Sequence, residues 1–202
     1  MTIEWSPMQG PRVAKEFVTS YLQADLPSRL QLYRNAWNLD DELLPEPVKY
    51  LDYEPVAIDA WPSIHTIVTS TKTFLRSDYE MDGDPIYKVT YSTRTYIWCR
   101  GDSPEICTKT RDNLTTVVRS ALLDYPCLTY ADTEDRDVLL EEGSLTEEWS
   151  DLTPLKGERV MAGAYLGYDL SLQETVSRRG IAELESFDIE TLPLPTPADP
   201  DF

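Results

Sequence analysis

Residues 160–172 carry an apolar side chain at every second position: Val160, Ala162, Ala164, Leu166, Tyr168, Leu170 and Leu172. Side chains of a strand project alternately to its two faces, so this period commits the stretch to one long strand with one face in a core. Gly163 and Gly167 fall on the opposite face, where the sequence predicts the close approach of another backbone. The backbone groups of so long a strand need partners, so the rest of the chain must supply further strands and something apolar to cover them.

The best partner is Ile86–Cys99. Tyr87, Val89, Tyr91, Ile97 and Cys99 share one face with Thr93 and Thr95 between them, while Lys88, Thr90, Ser92 and Arg94 occupy most of the other. Upstream, Ile64–Phe74 is rich in Thr, Ile and Val, and Val56, Ile58 and Ala60 alternate before Pro62 interrupts. Asp82-Gly83 favours positive φ and predicts a turn joining the two β segments into a long hairpin.

Two stretches supply helices. Val13, Phe17 and Tyr21, with Val18 and Leu22 beside them, form an apolar stripe from about Pro11 to Leu26. Pro27 predicts a break there, with a second short helix through Leu30, Tyr33 and Trp37. A proline-punctuated loop is expected over residues 39–55. Further on, Ser103 suits an N-cap, Pro104 the first helical position and Glu105 the positive end of the dipole. Ile106, Thr110, Leu114, Val117, Val118 and Ala121 trace the buried face of that helix, which Pro126 ends. Between Asp132 and Asp151 lie nine acids and one base, with only Val138, Leu139 and Leu140 strand-like. This order predicts an α+β domain over residues 1–180: a mainly antiparallel sheet with an N-terminal helix and a second helix packed on it. Residues 181–202, acidic and proline-rich, read as an extended or partner-bound tail.

Composition narrows the partners. Eighteen basic residues against thirty-six acidic ones give a net charge of −18. That argues against a general binder of phosphate backbones and against an electrostatically held membrane-surface protein. Three cysteines, Cys99, Cys107 and Cys127, form no C-x-x-C pair, which predicts reduced thiols in a cytoplasm. No secretory leader or membrane span is expected from the sequence.

Catalytic chemistry has few candidates. His65 is the only histidine, and it sits in a Thr/Ile/Val-rich strand with no motif around it, so a structural role is expected. Gly101-Asp102-Ser103-Pro104-Glu105 sits between strand and helix as a nucleophile elbow would. Glu105 replaces its second glycine, however, and Pro104 has no N–H for an oxyanion hole. Asp78, Glu80, Asp82, Gly83 and Asp84 imitate the start of a calcium loop, but position twelve is Val89 rather than a bidentate Glu. No catalytic residue, metal site or cofactor is expected, and the chain reads as a structural protein rather than an enzyme.

Several phrases match a known pattern in the same order. They are Leu26-Pro27-Ser28-Arg29-Leu30 and Trp37, Tyr87-Lys88-Val89-Thr90-Tyr91, Arg111-Asp112-Asn113-Leu114 with Val117-Val118-Arg119, and the closing strand from Arg159 to Tyr168. Over about residues 11–176 the chain resembles the tail terminator (tail completion) proteins of long-tailed bacteriophages. The resemblance implies a virion protein at the tail–neck junction, assembled in the host cytoplasm. It implies a homohexameric ring that caps the tail tube, ends its polymerisation and forms the head–tail joining surface. The implied partners are further copies of the chain, the tail-tube protein and a head-closure or neck protein. Viral DNA would pass through the lumen unbound, and no membrane is involved. A contact with a neighbouring ring or subunit is expected at the hairpin tip: Tyr79, Glu80, Met81, Asp82, Asp84 and Pro85. The acidic tail goes beyond the family pattern. Two alternatives remain, a head-closure or other neck component and an acidic DNA mimic that inhibits a DNA-binding protein.

Overall fold

A computed structural model describes residues 10–79, 85–124, 127–128, 138–155 and 159–175. In chain order its elements are α1 (Gly10–Trp37), β1 (Lys49–Leu51), β2 (Ser63–Tyr79), β3 (Pro85–Gly101), α2 (Pro104–Asp124), β4 (Cys127–Leu128) and β5 (Val138–Leu140). A short 3-10 turn (Glu142–Ser144) follows, then β6 (Thr146–Trp149), β7 (Thr153–Pro154) and β8 (Val160–Thr175). The eight described strands form one sheet in an α+β fold.

The alternating stretch is the axis of that sheet. One edge of β8 pairs antiparallel with β3 from Ile86–Thr175 to Gly101–Val160. Its other edge is shared by three short strands in succession: β7 at 160–161, β6 at 164–167 and β5 at 170–171. β4 extends the sheet beyond β5, and β2 pairs antiparallel with the far side of β3. Only β1, against Ser63–His65 of β2, runs parallel.

Both helices cover one face. Ala14, Val18, Leu22, Leu26 and Leu30 of α1 and Leu114, Val117, Val118, Ala121 and Leu122 of α2 are buried. They join Val89, Tyr91, Ile97, Leu166, Tyr168 and Leu170 of the sheet in one core. Each fully buried Leu or Ile stabilises by about 1.5–3 kcal/mol, so this layer carries the fold. The Tyr21 hydroxyl donates to the Ala121 carbonyl at 2.8 Å, and Arg29 bridges Asp25 and Asp124, fixing one helix against the other.

The structure corrects several expectations. Pro27 does not break the first helix: α1 continues unbroken to Trp37. Pro27 lies on the exposed side and only the carbonyl of Gln23, also exposed, loses its partner. Water can satisfy that oxygen, while the stripe from Ala14 to Leu30 passes the proline on the buried side. The stripe is centred one residue later than expected, with Phe17 and Tyr21 at its margin. Val56, Ile58 and Ala60 form no strand, and Val56 is fully exposed. The β2 edge beside them is already taken by β1, which lies inside the expected loop 39–55, so 52–62 is the crossover. Gly163 and Gly167 are approached by side chains rather than a backbone. A Cβ on Gly163 would lie 2.6 Å from the Trp98 ring, and one on Gly167 would lie 2.8 Å from the Thr146 hydroxyl.

Candidate functional site

β2 and β3 are each seventeen residues long and form a hairpin whose described end is the pair Tyr79–Pro85. The expected contact residues Glu80, Met81, Asp82 and Asp84 lie outside the described residues, as does the expected Asp82-Gly83 turn. The arm that leads to them is unusual. Residues 69–76 are all exposed, and adjacent Phe74 and Leu75, on opposite faces, are 56% and 59% exposed.

β1 covers the outer edge of β2 only as far as His65. From Thr66 on, that edge has no strand beside it among the described residues. Such an edge presents a row of backbone donors and acceptors to another chain. Register shifts at Val68/Ser70, Thr71/Thr73 and Arg76/Asp78 twist it locally. Lys72 crosses to Asp169 of β8 at 2.6 Å, and Ser92 donates to the same carboxylate, tying the arm to the sheet.

The catalytic candidates are occupied elsewhere. His65 is 4% exposed in β2. Burial, helped by the Lys49 ammonium and opposed by Asp59, pushes its imidazole below the ordinary range, so the ring is held neutral. The Ser103 hydroxyl accepts the Ile106 N–H at 3.2 Å and is the cap of α2. Cys99 and Cys107 are buried free thiols whose pKa values burial pushes up, which removes the thiolate a nucleophile needs. Among the described residues no three His, Cys, Asp or Glu side chains gather as a metal site.

A cleft of about 290 Å³ between α2 and β6 is lined by Arg111, Thr115, Arg119, Glu147 and Trp149. Its cations are already paired. Arg119 donates to both oxygens of Glu147 at 3.0 and 3.1 Å, and Arg111 bonds Asp112 and the Ser150 carbonyl.

Two features escape the sequence reading. Glu174 is 1% exposed on the core face of β8, where its Oε1 accepts the Tyr91 hydroxyl at 2.8 Å and the Gly10 N–H at 3.2 Å. Gly10 begins α1, so the carboxylate meets the positive end of that helix. The alternation that buries Leu170 and Leu172 also points Glu174 inward. The second feature is an aromatic field on the sheet face away from the helices. Tyr96 and Trp98 stack nearly parallel at 6.4 Å, Tyr165 lies 5.4 Å from Tyr96, and the Arg94 guanidinium sits over the Tyr165 ring at 4.8 Å. Extending the outward series Ser92, Arg94 by two more steps of two finds Tyr96 and Trp98.

The chain matches none of the known protein families, and no curated protein matches it.

Proposed function

We propose that the chain is a tail terminator: a structural subunit that assembles with copies of itself into a ring on the end of a phage tail tube. The observation that carries this reading is the β2–β3 arm, with an open β2 edge and exposed Phe74 and Leu75. An edge of that length with adjacent apolar groups suits β-pairing and packing between copies, and head-to-tail use of it closes a ring when the rotation closes. The order α1, hairpin, α2, long closing strand also follows the order of the phrases that carry the resemblance. The net charge of −18 suits a lumen through which DNA passes without adhering, because like charges repel.

The test is light scattering after size exclusion across a concentration range, with purified tail-tube protein present and absent. A closed ring of about six copies, alone or on tube ends, supports the reading. A monomer that also ignores tube ends overturns it.

A further inference from the structure

The outer aromatic field lies at the base of the hairpin, apart from the exposed Phe74 and Leu75. Its rings lie along one line of β3, Tyr96 then Trp98, and a guanidinium stands at each end, Arg94 and Arg100. Both guanidinia are engaged by aromatic faces, Arg94 over Tyr165 and Arg100 over Trp61 at 5.8 Å, and both residues are exposed. Beside the rings a cleft of about 100 Å³ opens towards Pro55 and Ile58. Flat, parallel aromatic rings with a shallow trough suit pyrrolidine rings, and an extended proline-rich segment has little conformational entropy left to lose on binding.

The chain itself contains a proline-rich segment. Pro193, Pro195, Pro197 and Pro200 follow one another closely, with Glu190 before them and Asp199 and Asp201 at their end. Residues 181–202 hold six acids and no Lys or Arg. In polyproline II geometry Pro193 to Pro200 covers about 22 Å at roughly 3.1 Å per residue. Arg94 to Arg100 covers about 20 Å of β3 at roughly 3.4 Å per residue. The acids of this stretch, Asp199 and Asp201, lie together at its end, so they meet one guanidinium. We propose that residues 193–201 dock on this face of the same molecule, prolines on Tyr96 and Trp98 and the carboxylates of Asp199 and Asp201 on Arg100.

The reach allows it. Trp98 pairs with Gly163, twelve residues before the end of β8 at Thr175, or about 41 Å back along the strand. The eighteen residues from Thr175 to Pro193 extend to about 60 Å. The tether keeps the local concentration of the segment high, which favours its own molecule over a neighbouring one. Acids already stand on this face: Glu148 is bonded to the Tyr165 hydroxyl beside Arg94, Glu54 lines the cleft, and Asp169 and Glu141 lie further along the sheet. Glu148 disfavours a second acid at Arg94, which leaves Arg100 for the carboxylates of the segment.

The test uses the full chain labelled with 5-fluorotryptophan and fluorine NMR, with the Trp98 resonance assigned by Trp98→Phe. Replacing Pro193, Pro195, Pro197 and Pro200 together by Ser is expected to move the Trp98 resonance and leave those of Trp37 and Trp149 in place. The pair Asp199→Asn and Asp201→Asn is expected to move it part of the way, as is added salt. An unmoved Trp98 resonance in the proline variant overturns the proposal. So does a displacement that disappears when the unsubstituted chain is diluted, because the occupant is then the segment of a neighbouring copy.

Discussion

Gly163→Ala should destabilise the protein although alanine is the better strand residue. The new Cβ would lie 2.6 and 2.7 Å from two carbons of the Trp98 ring, against about 3.5–4.0 Å for carbon atoms in contact. The indole must retreat by about 1 Å. It is a rigid bicycle, stacked on Tyr96, so it moves only by leaving its rotamer. Overpacking of this kind costs about 1–3 kcal/mol, and the entropy gained by removing a glycine offsets about 0.5–1 kcal/mol. The net loss of about 0.5–2 kcal/mol lowers Tm by a few degrees, at roughly 2–4 °C per kcal/mol for a chain of this size. Thermal unfolding followed by circular dichroism reads it. Gly143→Ala, where a Cβ meets nothing within 4 Å, is the control and should hold or slightly raise Tm. The sign is the sharper test. In a Trp98→Ala background the clash is gone, so Gly163→Ala should then raise Tm. A loss of the same size in both backgrounds would refute the reasoning.

Three further outcomes follow from other parts of the molecule. The His65 pKa lies below its ordinary 6.5 in the folded chain, so below pH 6.5 the unfolded chain binds more protons at this residue. Its contribution is therefore complete above pH 6.5 and declines as pH falls from there towards the folded value; the urea midpoint of His65→Gln should change less between pH 7 and 5 than that of the unsubstituted chain. Pro27→Ala restores a helical N–H on the exposed side of α1, worth about 3 kcal/mol against about 0.4–1 kcal/mol of lost unfolded-state restriction. It should raise Tm by about 4–10 °C, and an unchanged Tm would mean that α1 is not continuous through this position. Phe74→Asp with Leu75→Asp should leave the far-ultraviolet circular dichroism spectrum intact, since both side chains are exposed, while lowering the assembled fraction in light scattering.

Which features were legible depends on whether one stretch of chain contains its own cause. β8 and β3 were readable because alternation over more than ten residues has only one explanation, a long strand buried on one face. The start of α2 was readable because Ser103, Pro104 and Glu105 each satisfy a different requirement of a helix end. The fate of Val56–Ala60 was not. Its alternation is real, but the edge it would need belongs to β1, and that pairing joins residues with no local signature. β6 and β7 were missed for the same reason: both are very short and exist because β8 offers a long edge. Pro27 misled because its effect depends on which side of the helix it faces, and packing of the stripe decides that. The arm was expected as a hairpin, but its open edge is visible only once β1 is seen to stop at His65. The tryptophan over Gly163 likewise needs the cross-strand register, which places Trp98 opposite that glycine.

The most direct measurement of the central claim is tube length. Purified tail-tube protein is polymerised with and without the chain, and lengths are read from negative-stain images. A terminator stops elongation, so the account predicts shorter tubes of narrower length distribution, each with a ring at one end. An unchanged length distribution with bare tube ends, at a concentration of folded chain equal to that of tube protein, would contradict it.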